Sequence, residues 1–528
     1  MSEELYELPT GWVWTSIKEI GEVITGTTPS KSNAEYYGRD FPFFKPTDLN
    51  KGYYVREAED GLSKEGIQKA RLIPEKSILV TCIGATISKT GFIRVQGSCN
   101  QQINAIVPNI NLLPEFIYFW CISPFFKKTV IAHASSTTLP ILNKSKFETL
   151  SFPFPPLPEQ YRIVAKIEEI FTELDAGVEL LKKLKVKLKR YRQAVLKAAV
   201  EGSLTQEWRE ANQGKLEPAS VLLERILKQR REKWEAEQLA KMKAQGKTPK
   251  DDSWKLKYKE PVAPDTSELP ELPDGWCWAT PEQLASTNNY SLGIGPFGSD
   301  LKVEDYRDKG FPLVFVKNIR SGIFGDENTK YVTFEKAQTL FAHQVEGGDI
   351  LITKMGAPPG DACLYPLTRP PAIITADCIK WKISEIIYNK LFFVYIINSR
   401  IIQTQISQIT KGVAQQKVSL TRFKGISVPL PPLKEQNYIS EEIERLFSVT
   451  NQLEKTIDTN LKRSEKLRQS ILKQAFQGKL VPQDSNDEPA EKLLERIKAE
   501  KAKQTTTKTK KKTQSKTQSN LQLELPLK

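Results

Sequence analysis

Apolar residues recur at alternating four- and three-residue steps from Ile163 onward: positions 163, 167, 170, 174, 177, 181, 184, 188, 191, 195 and 198 read Ile, Ile, Ile, Leu, Gly, Leu, Leu, Leu, Tyr, Val and Ala. Only Gly177 interrupts the series. That alternation predicts a long helix with one continuous apolar seam. About 40 residues rising 1.5 Å each make roughly 60 Å, longer than one small domain needs. The pattern returns 276 positions later as Ile439, Ile443, Leu446, Thr450, Leu453, Ile457, Asn460, Ser464, Leu467, Ile471 and Gln474, with Asn460 and Ser464 as candidate register-setting polar positions. Pro155-Pro156 and Pro431-Pro432 precede the two helices, and proline cannot extend a helix backwards, so each helix has a stiff, extended approach. Two such helices can pair as a coiled coil; packing on two separate cores is the alternative.

The helices belong to a larger repetition. "ELPTGWVW" from Glu7 returns as "ELPDGWCW" from Glu271, "KSILVTCIGA" as "GDILITKMGA", and "FPFPPLPEQ" from Phe152 matches "VPLPPLKEQ" from Val428. Past the helices, "EPASVLLERI" at Glu217 returns as "EPAEKLLERI" at Glu488. The order is the same in both halves. About 130 residues before each helix share only punctuation, such as Phe41-Pro42 and Phe311-Pro312. The reading is therefore α+β: two globular mixed α/β domains in tandem, keeping one scaffold and varying its surface. The expected divisions are 1–150 (first globular domain), 151–203 (first helix), 204–270 (charged helical linker, either solvated or a subunit dock), 271–426 (second globular domain), 427–480 (second helix) and 481–528 (short helix and Lys-rich disordered tail).

The 528 residues carry 77 Lys+Arg against 63 Asp+Glu, a net +14 spread along the chain, which favours a polyanionic partner and nucleic acid first. Six scattered cysteines without a C-x-x-C pair read as core thiols of a reducing compartment. With no apolar run of membrane length and no charged-then-apolar leader, the expected place is the cytoplasm, without a membrane partner. His133 and His343 are the only histidines, and neither lies in a triad or metal spacing. The Pro-Pro pairs lack the Asn/Asp-Pro-Pro-aromatic form of adenine methyltransferases, and no Walker loop occurs. Catalytic residues and metal ligands are therefore expected to be absent.

One glycine pattern needs weighing. Gly293, Gly295 and Gly298 have G-x-G-x-x-G spacing, but Pro296 lies inside it and no helix pattern opens at Ser299, so a dinucleotide loop is disfavoured. A tight turn approaching a phosphate backbone fits these residues and the counterpart "ITGTTPSKS". Candidate DNA contacts are Thr27, Thr28, Lys31, Lys45 and Lys89 in the first domain, and Ser299, Lys302, Lys317, Lys354, Gln415, Gln416 and Lys417 in the second. Each is equally readable as a solvated surface group.

With both halves, the paired "PPL-x-EQ" helices, "GPFGS" and "ILITKMG" in view, the chain resembles the DNA-specificity subunit of type I restriction-modification enzymes from about Glu7 to about Ile497. The resemblance implies two target recognition domains, each reading one half of a bipartite double-stranded DNA site. It also implies two long conserved helices packed as an antiparallel coiled coil with pseudo-twofold symmetry, spacing the half-sites. Two modification (methyltransferase) subunits and restriction (motor-nuclease) subunits would assemble on it, carrying AdoMet, ATP and Mg2+, with no cofactor in this chain. One departure stands out: Thr138-Leu139-Pro140 occupy the place of Gln415-Gln416-Lys417. The competing readings are a coiled-coil scaffold without sequence preference, a DNA-binding module outside restriction-modification, and a fused restriction enzyme.

Overall fold

The computed structural model describes residues 5–135, 139–249, 251–327, 329–411 and 416–503; Thr138, Gln415 and the Lys-rich tail lie outside them. Contacts gather the chain into two units: residues up to Lys182 together with those from Asp458 on, and the continuous stretch Lys183–Ile457. The linear order is thus cut inside both long helices, which run Leu157–Val200 and Leu433–Phe476.

In the first unit, strand Val13–Ser16 pairs antiparallel with Ser151–Phe154, which places the opening Trp-x-Trp segment beside the first long helix. A four-stranded antiparallel sheet follows in the order Gly21–Thr25, Ile103–Pro108, Ile78–Thr81, Thr90–Phe92. Ile78–Thr81 is buried at every position, so its sequence is a continuous apolar run rather than an alternation. A smaller sheet sets Tyr37–Phe44 between Asp60–Leu62 and Ser98–Cys99, the last pair being parallel. The core under the sheet combines helix Pro114–Cys121 with Ile163, Ile167 and Phe171 of the first long helix and Ile471, Leu472, Ala475 and Phe476 from the far end of the second. Phe476 meets Phe116 and Trp120 edge-on at 5.2 and 5.1 Å.

The second unit repeats this plan. Cys277–Ala279 pairs with Val428–Leu430, and the four-stranded sheet runs Leu292–Ile294, Cys378–Trp381, Ile350–Thr353, Ala362–Leu364. Phe311–Val314 pairs parallel with Ala372–Ile374, as its counterpart does with Ser98–Cys99. The core takes in Ile439 and Ile443 from the start of the second long helix and Val195, Leu196, Ala199 and Val200 from the end of the first. The charged helix Ala219–Ala244 is not merely solvated: Ala219, Leu222 and Ile226 enter the same core, Arg230 donates to the Ala285 carbonyl, and Trp234 stacks on Trp254 at 6.1 Å. In the first unit, helical residues 490–503 supply Ala490, Leu493, Leu494 and Ile497 in the same way.

The two helices run antiparallel within each unit. In the second, Arg192 bonds Thr450, Asn451 and Glu454 while Thr205, further on, bonds Glu435. In the first, Arg468 bonds Asp175 and lies 4.2 Å over Phe171, while Asp487 pairs with Arg162. Arg192 and Arg468 are equivalent in the repeat, as are Asn451 and Asp175. The expected continuous seam is interrupted: Leu184, Tyr191, Leu453 and Leu467 are 41–47% exposed, while Leu188, Thr450 and Ile457 between or beside them are buried. A straight helix drifts about 20° per heptad against a 3.5-residue repeat, and by the end of the first helix burial has moved to 195, 196, 199 and 200. Ser464 donates to the Asn460 carbonyl four residues back, so its hydroxyl is satisfied within its own helix.

The repeated "PPL-x-EQ" has a structural cause. Gln160 and Gln436 each donate to the first proline carbonyl of their run, at 3.1 and 2.8 Å. Buried Glu159 and Glu435 accept from the indole N–H of Trp12 and Trp276, each at 2.8 Å. The motif latches the helix start to the opening strand of its domain. All six cysteines are free thiols, five of them buried. Among the described residues no helix is long and apolar enough to cross a membrane, and no group of His, Cys, Asp or Glu is placed to hold a metal.

Candidate nucleic-acid interface

Four chain segments converge at one edge of the main sheet in each domain, and the same backbone hydrogen bonds place them. In the first, Gly26 N–H donates to Ile103, Asn100 to Phe44, Cys82 to Gln102, Leu142 to Cys82, and Ser135 and Ile141 exchange a pair. In the second, Gly295 donates to Cys378, Thr375 to Val314, Lys354 to Asp377, Val418 to Lys354, and Lys411 and Lys417 exchange the pair. This fixes the equivalences residue by residue. It also corrects the register of the departure noted above: Ile141 bridges Ile83 as Lys417 pairs with Met355, so Pro140-Ile141, one residue on, stand where Gln416-Lys417 stand.

The glycines at this edge serve the protein's own backbone. A Cβ on Gly26 would lie 2.0 Å from the Asn100 carbonyl oxygen, and one on Gly295 would lie 2.2 Å from the Thr375 carbonyl. That close approach, rather than proximity to a phosphate, requires Gly at both places. After Gly295 the chain enters a short 3-10 turn at Gly298–Asp300, and no α-helix opens there.

The convergence takes in Thr27 and Thr28 in the first domain and, separately, Lys354, Gln416 and Lys417 in the second. Thr28 donates to Gln101, which is exposed on the turn before Ile103–Pro108. Lys354 donates from Nζ to the Ala376 carbonyl at 3.0 Å and lies 4.8 Å over the ring of Phe297, itself 60% exposed. Partial burial holds its ammonium pKa below the usual lysine value, opposed by the charge of Asp377. Gln416 is half-buried and Lys417 exposed, as expected of successive residues on a strand.

Other candidates stand apart from that cluster or are already engaged. Lys45 follows the strand that receives Asn100, but its ammonium is paired with Asp60, and the same hydrogen bond raises its pKa. Lys89 ends the hairpin loop after Ile78–Thr81, where its carbonyl accepts from Thr81. Lys31 and Ser299 are exposed on the loops leaving the first sheet strand of each domain. Lys302 precedes a 3-10 turn, its N–H donating to Asp305. Lys317 sits 5.2 Å over Phe315, and its scaffold equivalent is Thr47. Gln415 lies outside the described residues.

Gln101 and Phe297 share this edge but were not among the contacts expected from the sequence. Phe297 lay in a motif already singled out, whereas "NQQ" at 100–102 looks like any polar turn. The available signal was its alignment with "TAD" at 375–377.

The sequence model described as "Type I restriction modification DNA specificity domain" matches residues 9–190 and 303–463. The type I restriction enzyme EcoKI specificity subunit of Escherichia coli K12 is 24% identical over 521 residues, covering 94% of this chain and 97% of the relative. The EcoBI specificity subunit of Escherichia coli is 26% identical over 514 residues, with 94% of each covered. A solved chain reported under "Structural basis underlying complex assembly and conformational transition of the type I R-M system" aligns with a TM-score of 0.63 at 15% identity, over 90% of this chain and all of the other, which establishes a shared fold. The paired recognition scaffolds, the two 44-residue helices latched to them and a family match over more than half the sequence agree: this chain belongs to the type I restriction-modification DNA specificity family.

Proposed function

We propose that each globular domain reads one half of a bipartite double-stranded DNA target and that the two long helices set the number of base pairs between the halves. The carrying observation is one scaffold, held by the same hydrogen bonds in both domains, that presents different side chains at its converging edge. Reading two half-sequences needs that combination: a constant frame and varied contacts. Each helix of 44 residues is about 66 Å long at 1.5 Å per residue, a length a ruler role uses and a small domain does not need. The net charge of +14 supplies non-specific attraction to phosphates, so affinity falls steeply with salt. In this reading the chain contributes recognition, while two methyltransferase subunits bring AdoMet and motor-nuclease subunits bring ATP and Mg2+.

The test is co-expression with the methyltransferase subunit, followed by genome-wide mapping of methylated bases. A split motif with a fixed gap is expected. One heptad inserted between Lys182 and Lys189, matched by one in the second helix, should lengthen the pair by about 10 Å and widen the gap by about three base pairs without altering either half. Half-sequences that change at a constant gap would refute the ruler.

A further inference from the structure

The shared hydrogen-bond register defines four slots where the domains differ completely in chemistry. Thr28 corresponds to Phe297, Cys82 to Lys354, Gln101 to Ala376 and Ile141 to Lys417. The first domain thus presents a neutral amide supported by a hydroxyl, and the second presents two ammonium groups and an aromatic ring. Backbone geometry around the slots is the same, so their side chains are free to differ without altering the frame.

The hydrogen bonds say what each set suits. Thr28 donates to Oε1 of the exposed Gln101, which tethers the amide at its oxygen and leaves its N–H donors and one acceptor lone pair for a partner. A donor–acceptor pair matches N7 and N6 of adenine, whereas a phosphate offers acceptors only. Lys354 is anchored by the Ala376 carbonyl and the Phe297 face, with two N–H groups left over, and Lys417 is exposed on the neighbouring strand. Donors without acceptors match O6 and N7 of guanine.

We propose that these four slots are where the two domains read bases: Gln101, oriented by Thr28, contacts an adenine in one half-site, and Lys417 with Lys354 contacts a guanine in the other. The assignment rests on the bipartite reading above. Its test uses the full chain in complex with its methyltransferase subunit and competition binding against duplexes altered one base pair at a time.

Gln101→Ala should lower discrimination about tenfold at one A·T position of one half-site. The other half-site should be unchanged within about twofold, as expected of separate positions. Thr28→Val, which leaves the amide but frees its orientation, should lose part of the same discrimination at the same position. Lys417→Ala should act on one G·C position of the other half-site. Uniform weakening across all duplexes with discrimination retained would make these residues backbone contacts and overturn the proposal, as would unchanged discrimination. A parent complex preferring no split sequence at all would instead refute the bipartite reading.

Discussion

The two Trp–Glu latches began as copies and now differ in how well their carboxylates are served. Glu435 accepts from Trp276 at 2.8 Å and from Thr205 and Arg209 at 2.7 Å each. Glu159 accepts from Trp12 at the same distance but has no guanidinium bonded to it, and burial pushes its carboxyl pKa up against the opposing Trp12 and Gln483 hydrogen bonds and the charge of Arg162. The segment that returns from the opposite helix makes the difference. In the second unit it brings Arg209, and Trp208 stacked on Tyr438 at 4.9 Å. In the first it brings Asp487, which pairs with Arg162, the counterpart of Tyr438. Duplication preserved the position of the junction while its chemistry was rewritten.

The largest expected effect comes from removing the better-served carboxylate. Glu435→Ala leaves the largely buried Arg209 guanidinium with only the Gly202 carbonyl and frees the Trp276 indole N–H and Thr205 hydroxyl, and should cost about 3–5 kcal/mol. Glu159→Ala strands one indole N–H and should cost about 1–3 kcal/mol. Hydrogen exchange resolved by unit measures both; equal losses in the two units would show that the extra donors on Glu435 contribute nothing.

A second contrast lies inside the sheets, where buried Lys380 occupies the scaffold position of Ala105. Burial lowers the Lys380 pKa to about 8, and its amine donates to the Gln344 carbonyl at 2.6 Å. Between that value and the ordinary 10.5, the unfolded chain holds a proton the folded chain has released, so stability of the second unit rises with pH across the window. Lys380→Met should remove about 2–3 kcal/mol of that rise. Identical pH profiles for parent and variant would remove the contrast.

Charge removal at the Glu159 latch has a smaller effect. Because the Glu159 pKa is raised, its contribution to stability is present below the ordinary carboxylate range and lost as pH rises through the folded pKa. Glu159→Gln keeps an acceptor for Trp12 and removes the buried charge, so at pH 7 it should match or exceed the parent by up to about 1 kcal/mol. A clear loss in a thermal unfolding series would mean the charge itself is needed.

The repeat, the helix lengths and the latch motif were legible because they are local spellings: heptads, proline runs and Trp-x-Trp. The convergence of the four slots was not, since Thr28, Cys82, Gln101 and Ile141 meet only through strand pairing between distant segments. Lys354 was found because it ends an obvious strand. Gln101 was passed over because a polar turn has no signature of its own. Nor could periodicity reveal that Phe476 completes the aromatic core around Phe116 and Trp120, a contact spanning some 350 residues.

That last contact has a consequence for synthesis. Everything the second unit needs lies in the unbroken stretch Lys183–Ile457, whereas the first unit needs residues from both ends of the chain. At roughly 5–20 residues per second, a ribosome that has passed Lys182 takes about 15–60 s to reach Phe476. Throughout that interval the nascent first domain lacks the side chains that cover its aromatic core, and the second, complete at Ile457, can close shortly before they emerge. Translation therefore reverses the usual order, and the domain made first is the one finished last.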